Sequence, residues 1–188
     1  PVGADWQVEK RSVALILDGG FAACTGALVN NTANDGTPYF LTANHCYGNT
    51  TTSWVFVFNH ESSTCTGTDG PINQTVSGCT LRAKNAGSDF CLVELSSIPP
   101  ASYNVQYAGW DASDANTVSA AIGIHHPSGD LKKISFENDA PTQGTWSGAQ
   151  TWDVNQWDDG ITEPGSSGSP LFDQNHRIIG QLYGGGSA

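Results

Sequence analysis

Apolar residues recur along this chain in short runs with the alternation of half-buried strands. Almost no stretch repeats them at i, i+3, i+4 and i+7, as an amphipathic helix requires. Runs rich in Val, Ile, Leu, Phe, Tyr and Thr occupy residues 13–17, 25–29, 39–42, 54–59, 74–82 and 90–95. A second set occupies 105–110, 118–125, 131–136, 151–157, 169–172 and 178–183. Turn signals such as Asn34-Asp35-Gly36 and Ser128-Gly129-Asp130 separate them. Many short strands at this spacing predict an all-β sandwich or barrel. The stretch 96–104, with Pro99-Pro100, divides the runs into two groups of about six. It reads as a linker between an N-terminal unit, 1–95, and a C-terminal unit, 105–188.

Composition narrows the class. Of 188 residues, 38% are hydrophobic and 13% charged, and six Trp, seven Phe and five Tyr supply the apolar area that a disordered acidic chain lacks. No apolar run reaches the ~18 residues that span a bilayer, so no membrane association is expected. The net charge of −11 disfavours nucleic acid, which needs a basic face. The absence of Met and the start at Pro1-Val2 suggest a processed or excised piece of a longer protein. Five Cys, at 24, 46, 65, 79 and 91, in a chain rich in Gly, Ser, Thr and Asn suggest a secreted protein with disulfides. The odd count leaves one Cys without a partner here. Three glycosylation acceptor patterns, at Asn30, Asn49 and Asn73, carry little weight alone.

Three local signals carry chemistry. In Leu41-Thr42-Ala43-Asn44-His45-Cys46 a β run ends at a His followed by Cys. A Cys24–Cys46 disulfide would pin the loop bearing His45, as a general base requires. In Ser88-Asp89-Phe90-Cys91 an Asp opens an apolar strand, where a carboxylate could orient an imidazole. In Thr162-Glu163-Pro164-Gly165-Ser166-Ser167-Gly168-Ser169-Pro170, Gly residues flank a Ser pair. Ser167 would attack, and the N–H groups of Gly165 and Ser167 would hold the oxyanion. The order His, Asp, Ser, with gaps of 44 and 78 residues, excludes the α/β-hydrolase arrangement.

These motifs resemble those of the chymotrypsin-like serine proteases. Thr42-Ala43-Asn44-His45-Cys46 is similar to their Thr-Ala-Ala-His-Cys, and Gly165-Ser166-Ser167-Gly168-Ser169-Pro170 to their Gly-Asp-Ser-Gly-Gly-Pro. The closer resemblance is to the bacterial lysyl endopeptidases, through the segments at 24–35, 39–43, 108–111, 125–127 and 162–170. It implies two antiparallel six-stranded β-barrels of trypsin type with the site in the cleft between them. The second barrel is expected to be incomplete at the C-terminus. It also implies a monomeric enzyme without cofactor that cleaves peptide or protein substrates, after Lys or another basic residue. Tyr183-Gly184 resembles the segment whose backbone pairs with an extended substrate, and Trp146 is a candidate pocket wall.

This chain departs from the pattern in three ways. Ser166 stands where trypsin has the Asp that pairs with a new N-terminal amine. Six residues before Ser167, where trypsin anchors a cationic side chain, stands Ile161, which cannot pair with a cation. By resemblance the Lys-reading Asp would follow Ala188, and the partner of Cys65 would precede Pro1. Glu163 is the nearest carboxylate in the nucleophile loop. A hairpin centred on 85–88 would bring Cys79 and Cys91 together; Cys65–Cys79 is the alternative. His125-His126 points to opposite strand faces, which argues against a metal site, and no metal is expected. The acidic residues Asp153, Asp158, Asp159 and Glu163 read as a solvated loop. Two rival readings remain, a peptide-binding relic of a protease and a sugar-binding β module.

Overall fold

The computed structural model describes residues 3–64, 66–67, 70–113 and 117–186. It is built from thirteen strands, short 3₁₀ turns and no α-helix among the described residues. The first seven strands are β1 (Val13–Asp18), β2 (Phe21–Val29), β3 (Tyr39–Ala43), β4 (Val55–Phe58), β5 (Thr75–Ser77), β6 (Cys79–Asn85) and β7 (Phe90–Leu95). They form one sheet in the order β5-β4-β1-β2-β3-β7-β6, with every pairing antiparallel.

The run at 74–82 is two strands rather than one. Gly78, at φ +82°, turns the chain, so β5 and β6 end on opposite edges of the same sheet. One residue therefore links the two edges, and the sheet must curl on itself. Its interior holds Phe40, Trp54, Phe56 and Phe58, all fully buried. Phe40 meets Phe56 edge-on, with ring centroids 4.8 Å apart. These aromatic rings explain why the N-terminal half makes a dense core from short strands.

The second half is more open. β8 (Ala121–His125), β9 (Lys133–Glu137), β12 (Pro170–Asp173) and β13 (Ile178–Gln181) form a four-stranded sheet in the order β13-β12-β8-β9. β10 (Thr142–Trp146) and β11 (Ala149–Asp153) pair only with each other. Among its described residues this half thus has six strands, four in one sheet and two in a hairpin. One expectation needs correction: no strand forms at 105–110. Ala108 donates to Leu28 O while Ile178 donates to Gly109 O, so neighbouring residues bond to different sheets and no continuous ladder forms. The run expected at 151–157 ends as a strand at Asp153.

A second cluster of buried side chains lies at the seam. Val13, Ala27 and Val29 of the first sheet pack with Ala108, Ile122, Ile124, Phe172 and Ile178. Trp6 joins this cluster and stacks on His176, with ring centroids 4.1 Å apart. Below the loop that leaves β8, Lys132 is buried against Glu61 and donates to Lys10 O at 2.8 Å. Burial pushes its ammonium down to about 8.

Candidate active site

His45 lies in the 3₁₀ turn Asn44–Cys46, directly after β3. Asp89 precedes β7, which pairs with β3, and Ala43 faces Phe90 across the ladder. That register places Asp89 beside the turn. Its φ of +54° is left-handed, a conformation that Asp tolerates better than most residues. The carboxylate is 2% exposed and holds His45 twice. Oδ2 lies 2.7 Å from Nδ1, and Oδ1 accepts the His45 backbone N–H at 2.7 Å. The Asp89 carbonyl in turn accepts from Asn44 N at 2.6 Å and from Gln181 Nε2 at 3.0 Å. With Nδ1 donating to the carboxylate, Nε2 carries the free lone pair.

The disulfide Cys24–Cys46 is formed and ties β2 to the His45 turn. The other expected pair is not. Cys79 and Cys91 are buried free thiols. The β6–β7 hairpin exists, but its register sets Cys79 opposite Leu95 and Cys91 opposite Lys84, with a bulge between Leu81 and Ala83. Directly opposed positions are what a cross-strand bridge needs. Burial pushes the Cys79 thiol up to about 12 and that of Cys91 up to about 11. Cys65 lies outside the described residues.

Ser167 reaches the seam through the loop before β12. Its carbonyl accepts from Thr25 N at 2.8 Å and lies 4.0 Å from Cys46 Sγ. Gly168 follows at φ +79°, and a Cβ there would sit 2.6 Å from Thr25 O, 2.7 Å from Ala43 N and closer still to Thr42 Oγ1. Only glycine fits this approach. It brings Ser167 against the end of the strand that leads into His45. Gly165, at φ +94°, is equally crowded, with a Cβ placed 2.9 Å from Gly129 N and 3.0 Å from His126 O.

The remaining candidates also gather here. Tyr183 stacks over His45, with ring centroids 6.3 Å apart and planes 21° apart. Trp146 is 48% exposed, and a Cβ on Gly184 would sit 3.6 Å from its indole nitrogen. Trp146, Tyr183 and Gly184 line a cavity of about 1010 Å³, together with Trp157 and Thr162. Glu163 turns elsewhere, its carboxylate accepting from Ser128 Oγ at 2.9 Å.

His125 and His126 occupy two separate buried environments. His125 lies between the hydroxyls of Ser166 and Ser135, at 2.7 and 3.1 Å. His126 Nδ1 lies 2.9 Å from Asp130 O, and its ring stacks on His60.

Residues 2–188 match the family described as lysyl endopeptidase, C-terminal domain. The chain belongs to that family. It is 34% identical over 190 residues to lysyl endopeptidase of Pseudomonas aeruginosa, covering 96% of this chain and 41% of that protein. The family member described here thus spans less than half the length of that relative. Among solved structures it is similar to Glu endopeptidase, with a TM-score of 0.58 at 18% identity over 92% of this chain and 78% of the other. It is also similar to Deg5, with a TM-score of 0.60 at 15% identity over 94% and 80%. At these identities the neighbours show the fold alone, a mostly β trypsin-like architecture.

The sequence reading did not single out Thr25, Ser128 or Gln181. Thr25 beside Cys24 and Ser128 in the turn after His126 are ordinary residues in sequence. Their partners lie 140 positions away for Thr25 and 35 for Ser128, which no local pattern reveals.

Proposed function

We propose that this chain is the catalytic part of a secreted serine endopeptidase. Its two units, 1–95 and 105–188, meet at the site. Ser167 Oγ is the nucleophile and His45 Nε2 its general base. Asp89 fixes the imidazole tautomer and stabilises the imidazolium that forms. The proton moves from Ser167 to His45 as the tetrahedral intermediate forms. It then passes to the leaving amine, giving an acyl-enzyme that water hydrolyses by the same path. The backbone N–H groups of Gly165 and Ser167 receive the oxyanion. Tyr183, Gly184 and Trp146 bind the peptide on the acyl side.

The observation that carries this reading is the double hold of Asp89 on His45, at 2.7 Å for each contact, with Ser167 packed against the Cys24–Cys46 bridge. A buried carboxylate aimed at a histidine next to a serine loop has no comparable purpose in a sugar-binding module. For substrate we propose cleavage after Lys, in keeping with the family. Glu163 is engaged by Ser128 and does not serve as the cation anchor. Labelling with a serine-directed organophosphate tests the chemistry. Modification is expected at Ser167 and is lost in Ser167→Ala and His45→Ala. Unchanged turnover of a cleaved peptide by Ser167→Ala would move the nucleophile elsewhere. Peptide-library profiling of wild type and Glu163→Gln tests the preference, and loss of Lys cleavage in the variant would make Glu163 the anchor.

A further inference from the structure

The residue before the proposed nucleophile is a serine, so the oxyanion loop cannot be held by the carboxylate–ammonium pair that trypsin uses. Yet Ser166 is fully buried. Its hydroxyl lies 2.7 Å from His125 Nδ1 and accepts from Glu163 N at 3.1 Å. On the other side of the ring, His125 Nε2 lies 3.1 Å from Ser135 Oγ, which donates to Ile161 O at 3.1 Å.

These four contacts admit one consistent assignment of protons. Ser135 spends its proton on the Ile161 carbonyl, so the Nε2–H of His125 must donate to Ser135. Nδ1 is then a bare acceptor and takes the Ser166 proton, which leaves a Ser166 lone pair for the Glu163 N–H. The relay runs from Glu163 N–H through Ser166, His125 and Ser135 to Ile161 O. It starts and finishes on the same loop. A protonated ring would break it, because Nδ1–H would force Ser166 to accept twice and orphan its own proton. Burial of His125, 0% exposed, pushes its imidazolium down to about 4 and keeps the ring neutral.

The residues after His125 hold the same loop. Ser128, at φ +54°, donates its N–H to Pro164 O at 2.7 Å. In a trans peptide the next N–H projects opposite that carbonyl. Anchoring Pro164 O therefore aims the N–H of Gly165 away from the 125–129 segment. Thr25 Oγ1 takes the Gly165 carbonyl from the other side at 2.8 Å.

We propose that the segment 125–129 is an internal strap that sets the oxyanion loop, with neutral His125 as its positioning residue. It requires no new N-terminus and no ion pair. The proposal rests on reading Ser167 as the nucleophile and Gly165 N–H as an oxyanion donor, but the hold itself is independent of that reading.

The test uses the full-length protein and three variants, His125→Phe, His125→Asn and Ser166→Ala. Phenylalanine keeps the ring and removes both nitrogens, while asparagine keeps an acceptor near the Nδ1 position. In His125→Phe, exchange of the Glu163 amide, which donates to Ser166 Oγ, is expected to rise at least about tenfold, and its neighbours in 161–167 rise with it as the loop loosens. Turnover should fall about 10²-fold with KM within about twofold, the size of a lost oxyanion donor. His125→Asn should recover most of that loss. Nitrogen NMR of the wild type should show His125 as the neutral Nε2–H tautomer. Unchanged exchange and unchanged kcat in His125→Phe would overturn the proposal, as would the Nδ1–H tautomer. If His125→Phe does not fold, Ser166→Ala decides by the same two readouts, with wild-type values again overturning it. A wild type that fails to label at Ser167 would sink the protease reading, while loop exchange in the variants would still decide the strap.

Discussion

In the seven-stranded sheet four aromatic side chains fill the interior, and the proposed base follows β3 while its carboxylate precedes β7, adjacent strands whose register fixes their meeting. The four-stranded sheet buries Ile122, Ile124, Phe172 and Ile178 at the seam with Trp6. A cavity of about 1010 Å³ is lined by residues of β10, β11, β12 and β13, and by Thr162 and Ser169 of the loop that bears Ser167. That loop keeps its shape through discrete polar contacts: Thr25 from the first sheet, His125 at the end of β8 and Ser128 from the turn after it. One half fixes its pair by strand register, a buried carboxylate and a disulfide, the other fixes its loop by hydrogen bonds to hydroxyls and a buried ring. The apolar core under the first pair depends little on pH or on single hydroxyls. Directed hydrogen bonds in a buried site depend on both.

The comparison breaks most visibly at Asp89. Asp89→Asn leaves the first core intact but favours the wrong imidazole tautomer, and turnover should drop on the order of 10⁴ at neutral pH. Steady-state kinetics beside a thermal melt will check that the loss is chemical. A parallel collapse in stability would make Asp89 a structural residue instead.

Acid should act on the second half. His125 is held near 4 in the folded chain, against about 6.5 for an exposed histidine. Between those values the unfolded chain binds the extra proton, so stability falls as pH drops from about 6.5 to 4 and levels off below. Full expression of that shift corresponds to about 3 kcal/mol. Denaturant titrations at several pH values will show it, and His125→Asn should lose that part of the slope. A slope identical in the variant would assign the acid sensitivity elsewhere.

Thr25→Val probes the seam. It keeps the shape and removes the hydroxyl that bonds Gly165 O and His126 N. Leaving buried groups unsatisfied should cost about 2 kcal/mol, with turnover reduced as well. A change confined to stability would show that Thr25 supports the fold without setting the loop.

The smallest effect belongs to the thiols. Cys79→Ser retains a donor for Thr51 O, which Cys79 Sγ approaches at 3.2 Å, and should change stability by less than about 1 kcal/mol. Were Cys79 bonded to Cys91, the loss would be about 2–4 kcal/mol. Urea melts and disulfide mapping separate the two cases.

Much of this was legible in the chain. Period-two runs marked most strands, because half-buried strands must alternate. His45, Asp89 and Ser167 stood out because each carries a local signature of flanking residues. The split at Gly78 was harder to see, since one glycine within an otherwise continuous β run does not announce a change of sheet edge. Strand β10 escaped notice because Thr142–Trp146 is mostly exposed and lacks an apolar face. The Cys79–Cys91 expectation took a hairpin centred on 85–88 to bring the two together, but Asn85 pairs with Phe90, so Cys91 meets Lys84 and Cys79 meets Leu95, a register that the turn residues do not announce. The His125 relay was invisible for a similar reason. Its partners, Ser166 and Ser135, come from separate strands and loops, and serine is common in this chain.

Cys24 and Thr25 are neighbours on β2, and their contacts run to different parts of the site. Through Cys24 the strand grips the turn that carries His45, and through Thr25 it grips the carbonyls of Gly165 and Ser167. Both partners of the proposed reaction are thus mounted on one beam. When thermal motion displaces β2, the two ride together, and the displacement largely cancels in the distance between them.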